Sequence, residues 1–168
     1  TSFCFIDARE NTTKKIGYFD DRNGVFLQQE GDGTVSIVKR SYNTGVAVDT
    51  VVNQTNWNLD KLDGTGYSGI TLDPSKLNVY QINFRWLGSG EIRYAIENPL
   101  NGDMIFFHHE HYSNRNELPH LANPSMKIGY VAANLGGGVG VVPYEHQLMP
   151  YLKNDQISGC PSDSVARP

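Results

Sequence analysis

The sequence predicts an all-β fold, an antiparallel two-sheet β-sandwich of jelly-roll type. Three observations carry this expectation: apolar residues recur with period two, Gly- and Asn-rich turns separate the alternating runs, and no segment has the spacing of a long helix. The 168 residues amount to one ordinary domain, with 39% hydrophobic and 19% charged residues. Such aromatic and β-branched content, without blocks of like charge, excludes disorder over most of the length and also excludes a coiled coil.

The first alternating runs, Lys15 to Phe19 and Val25 to Gln29, flank Asp20-Asp21-Arg22-Asn23-Gly24, where Asn23-Gly24 supplies left-handed turn residues. A second hairpin joins Thr34 to Arg40 with Val46 to Val52 across Ser41-Tyr42-Asn43-Thr44-Gly45. From Asn53 to Asn78 the strand period vanishes, and so long an irregular stretch inside a domain reads as an ordered crossover packed by its own side chains. Within it Asp73-Pro74-Ser75-Lys76 suits a single helical turn.

The clearest strand is Val79 to Leu87, where Tyr80, Ile82, Phe84 and Trp86 form one apolar face against Gln81, Asn83 and Arg85. After Gly88-Ser89-Gly90 the alternation resumes at Ile92, Tyr94 and Ile96, which predicts a hairpin. Asp103 to Tyr112 follows the Asn101-Gly102 turn, and Met126 to Asn134 comes after a long loop, Asn114 to Pro124. A last apolar run, Val139 to Val142, follows Gly136-Gly137-Gly138. The expected organisation is a sandwich over residues 1–135 and a Gly/Pro-rich C-terminal arm over 136–168.

No apolar run approaches the roughly 20 residues of a membrane helix, so no membrane partner is expected. The net charge is −4 and the Lys and Arg residues are scattered, which speaks against nucleic acid as a partner. Cys4 and Cys160 lie near opposite ends, and both a disulfide and two free thiols are open readings. A start at Thr1 rather than Met reads as a processed chain or a piece of a longer product.

Chemistry concentrates in Phe106-Phe107-His108-His109-Glu110-His111-Tyr112. In a strand His109 and His111 share one face, and His108 with Glu110 the other. Two imidazoles on one face can begin a metal site, with His120 or Glu117 as a further ligand. The spacing departs from the cupin pattern, because Glu117 follows His111 after five residues and Gly102 lies seven positions before His109. Histidines packed against aromatics or at a subunit surface are therefore preferred, and no cofactor is expected. Gly-x-Ser-x-Gly is absent, no nucleophile motif appears, and enzymatic activity is not expected. Loop aromatics offer another possibility, with Trp57, Tyr67 and Tyr112 as platforms on which a sugar could stack in a lectin-like, carbohydrate-binding sandwich.

The string Trp57-Asn58-Leu59-Asp60-Lys61-Leu62-Asp63-Gly64-Thr65-Gly66-Tyr67-Ser68-Gly69-Ile70-Thr71-Leu72-Asp73-Pro74 resembles a group of tailed-bacteriophage virion structural proteins. The likeness extends through Val79 to Gly88 and through Phe107-His108 to Asn123-Pro124, spanning about residues 16 to 134. It implies a virion component, capsid-decorating or tail-associated, and carries no catalytic residues. The implied partners are other virion proteins and further copies of the chain in a homo-oligomer, with a host-surface glycan under the lectin-like alternative.

Overall fold

A computed structural model describes residues 1–5 and 8–134, and these form two antiparallel sheets. The strands are β1 (Ser2–Phe3), β2 (Thr12–Phe19), β3 (Gly24–Glu30), β4 (Val35–Ser41), β5 (Val48–Asn53), β6 (Asn78–Phe84), β7 (Ile92–Glu97), β8 (Met104–Glu110) and β9 (Ile128–Asn134). One sheet runs β1-β6-β7-β8 and the other β5-β4-β3-β2-β9. The two-sheet antiparallel class therefore stands. Consecutive strands pair as meanders, β2 to β5 in one sheet and β6 to β8 in the other, where a jelly roll would nest Greek keys across both. The Val139 to Val142 run and the C-terminal arm lie outside the described residues.

Contacts between the sheets fix how they stack. Phe3 of β1 meets Tyr130 of β9 at 4.9 Å between ring centroids, and Phe84 of β6 meets Tyr18 of β2 at 5.6 Å. Farther along, Lys39 of β4 bonds Glu110 of β8 at 2.5 Å. These contacts place β1 over β9, β6 over β2 and β8 over β4, and among the described residues no strand lies opposite β5. The core between them takes alternate residues of every stacked strand, among them Ile16, Leu27, Ile37, Tyr94, Ile96 and Phe107, all buried. That period-two burial is what the sequence alternation encodes.

The crossover from β5 to β6 packs as an ordered plug. A 3₁₀ turn at Gln54–Asn56 delivers Trp57 into the core, where its ring lies 4.3 Å from that of Phe107. Asp60 is buried, and its carboxylate accepts the Leu62 and Ser68 backbone N–H groups at 2.8 and 2.9 Å. Gly66 passes so close to that carboxylate that any Cβ would collide with it. Leu62 holds a left-handed φ of 50°, a cost offset by its complete burial and by the Leu72 N–H bonded to its carbonyl at 2.8 Å. Asp73 to Lys76 closes as one turn, with Lys76 N–H donating to the Asp73 carbonyl at 3.2 Å.

Two expectations need correction. Trp57 is 3% exposed, because the crossover folds back onto the sandwich, so its ring offers no platform to a sugar. Trp86 is 64% exposed, because β6 ends at Phe84 and the chain leaves the sheet before the alternation reaches it. Cys4 is fully buried and disulfide-bonded, and Cys160 lies outside the described residues.

The two tryptophans are therefore opposites in energetic weight. Trp57→Ala is expected to cost about 3–5 kcal/mol in urea unfolding, as for large core truncations. Trp86→Ala should stay within about 0.5 kcal/mol of the parent, as for an exposed side chain.

Candidate functional site

The histidine-rich strand β8 carries a β-bulge. Ala95 pairs with Phe106, but Tyr94 pairs with His108, so Phe107 and His108 together oppose one residue of β7. Before the bulge the odd-numbered residues Ile105 and Phe107 point into the core, and after it the even-numbered Glu110 does. Without the extra residue His109 and His111 would continue the inward row. The bulge turns both outward, as a pair on one face, while His108 and Glu110 face inward.

On that outer face His109 and His111 meet Glu91, the residue before β7. His109 Nδ1 lies 3.1 Å from Glu91 Oε1 and His111 Nδ1 lies 3.6 Å from the same oxygen, with the two imidazole centroids 4.1 Å apart. The other oxygen, Oε2, accepts from Arg93 Nε at 2.5 Å. Partial desolvation works to raise the Glu91 pKa, but the Arg93 hydrogen bond, its charge and the two histidines outweigh it, and the carboxylate is held below its usual range. Asn58 clamps the backbone of His109 from the crossover, its amide donating to the His109 carbonyl at 2.8 Å and accepting the His109 N–H at 3.0 Å. The Leu59 and Asp60 N–H groups bond the Phe107 carbonyl, so this segment covers the edge of β8.

The other proposed ligands lie elsewhere. His120 is 1% exposed, edge-on to Tyr112 and Phe84, and Glu117 lines a separate cavity. Among the described residues, Glu91, His109 and His111 form the group able to share a metal ion. Glu91 is the member that sequence reasoning missed.

The second feature is β5 with the space beneath it. Val48 and Val51 are each about half exposed on opposite faces of the strand, and among the described residues one edge of β5 has no partner strand. Under the strand opens a cavity of 520 Å³, lined by Lys39, Ser41, Val48, Tyr112, Leu118 and His120. Lys39 bridges it to the opposite sheet through Glu110 and the Tyr112 hydroxyl. Burial lowers the Lys39 pKa, but hydrogen bonds to Glu110 and Tyr112 outweigh this, and the ammonium is held above its usual range. The Tyr112 hydroxyl is thus engaged, and Tyr67 is the ring that remains open, 69% exposed with its hydroxyl bonded to the Phe106 carbonyl.

The chain matches no known protein family, no curated protein and no solved structure.

Burial lowers the pKa of both His108 and His120 below the ordinary value. The unfolded chain then binds more protons than the folded one near pH 6, so stability is fully present above about pH 6.5 and lost as pH falls below it. Urea midpoints measured from pH 7.5 to 5.5 should fall, and His120→Leu should flatten the slope. Equal slopes in parent and variant would contradict a buried neutral His120.

Proposed function

We propose that the chain is a non-enzymatic virion structural module of a tailed bacteriophage, capsid-decorating or tail-associated, which assembles with further copies of itself through β5. The observation that carries the assembly reading is the overhang: among the described residues no strand lies opposite β5 or pairs with its outer edge, and the strand carries apolar side chains on both faces. Monomeric sheet proteins blunt such edges with charge, proline or a covering segment, as this chain does at β8. At β5 the one acidic residue, Asp49, is neutralised by a two-pronged bond from Arg40 at 2.7 and 2.8 Å. Two copies of this edge can approach without like-charge repulsion, and antiparallel pairing would extend the sheet across the interface.

The virion assignment is supported by the likeness of the Trp57 to Pro74 string, which here forms the plug that closes the sandwich and guards β8. A specific string of that kind serves a rigid display scaffold, since its buried members fix the geometry of the surrounding strands. Other virion proteins are then the further partners, and the particle is the place of action. A glycan-binding alternative would rest on Tyr67, because Trp57 belongs to the core.

Light scattering behind size exclusion, over a range of concentrations, tests the assembly. An oligomer is expected for the parent chain and a monomer for Val51→Lys, which puts a charge at the centre of the edge. A monomeric parent, or an oligomer that Val51→Lys leaves intact, would refute the role of β5.

A further inference from the structure

We propose that Glu91, His109 and His111 form a binding site for one divalent transition-metal ion of the zinc type, on the outer face of β7 and β8. This inference is independent of the assembly proposal and stands on geometry. Ligands about 2.0–2.1 Å from a tetrahedral Zn²⁺ lie about 3.3 Å from one another. The Nδ1 atoms of His109 and His111 lie 3.1 and 3.6 Å from Glu91 Oε1, and the ligand atoms of all three residues fall within 4.8 Å of one another. The two separations from Glu91 Oε1 straddle that spacing. Each imidazole offers Nδ1 as the ligand and carries its proton on Nε2.

The donor set selects the ion. Two imidazoles and one carboxylate suit Zn²⁺ and its first-row neighbours, whereas Ca²⁺ and Mg²⁺ require oxygen-rich cages. Three protein ligands leave the fourth tetrahedral position to water, which the partial exposure of His109 and His111 admits.

The surroundings hold the donors in place. Arg93 occupies Oε2 and leaves Oε1 facing the imidazoles, while its guanidinium lies 5.8 Å from the Phe106 ring, which restrains it in turn. Asn58 fixes the His109 backbone on both sides of the peptide. Such outer contacts typically change metal affinity by about 10–100-fold when removed. The bulge at Phe107 and His108 is the device that brings both histidines to this face at all.

The test uses the full chain, stripped with a chelator and titrated with Zn²⁺ by calorimetry, with Co²⁺ as a spectroscopic probe. One equivalent of Zn²⁺ per chain is expected, together with the visible absorption of tetrahedral Co²⁺ and no comparable uptake of Ca²⁺ or Mg²⁺. His109→Ala and His111→Ala should each weaken binding at least 100-fold. Glu91→Gln, which keeps the shape of the side chain, should weaken it at least 10-fold. All three positions are at the surface, and unchanged circular dichroism would show that the variants fold. Failure of the parent chain to take up Zn²⁺, or uptake that survives the double His109→Ala/His111→Ala change, would overturn the proposal, because any metal would then be held by other residues.

Discussion

Sheets of unequal width cannot cover one another, and much of this molecule follows from that constraint. Among the described residues, four strands stacked on five leave β5 at the margin of the core, with Val52 packed against it and Val48 over a cavity instead of a partner strand. Hydrophobic burial stabilises the stacked part in the usual way, through residues such as Leu27, Tyr94 and Phe107. Among the described residues Val48 and Val51 have no such compensation, and each is about half exposed. In the proposed assembly this mismatch links packing to function, since a second copy would supply the covering that the narrower sheet does not.

The neighbouring edge of the narrower sheet shows how the same chain protects a strand. β8 is also at a sheet margin, but the crossover lays its backbone along it, with Asn58, Leu59 and Asp60 bonding Phe107 and His109. The buried Asp60 carboxylate holds that crossover in shape, and Trp57 anchors it in the core. The β8 edge is thus covered by the crossover, while among the described residues the outer edge of β5 has no partner strand. The bulge in β8 adds a local consequence, because one additional residue moves two histidines from an inward row to an outward pair beside Glu91.

Strand positions were legible because each half-buried strand writes its two faces into alternate residues, as at Tyr80, Ile82 and Phe84. The sharing of a face by His109 and His111 was legible for the same reason. Which face it would be was not, since alternation carries no mark of a bulge, and the partnership with Glu91 depends on register across the β7–β8 hairpin. Counting back from the Asn101-Gly102 turn brings Glu91 near His111, and this was the signal available for finding it. Trp57 was misread for a different reason: a loop aromatic looks the same in sequence whether its loop folds inward or stands away. Strand order was illegible because meanders and Greek keys share one alternation pattern.

The central claim, that β5 is an assembly edge, is tested most directly by amide hydrogen exchange across Val48–Asn53 as protein concentration is raised. The N–H groups of β5 that do not face β4 should pass from rapid exchange at low concentration to strong protection at high concentration, while those of β3 stay protected throughout. Exchange of the outward β5 amides at the same rapid rate at every concentration would contradict the account.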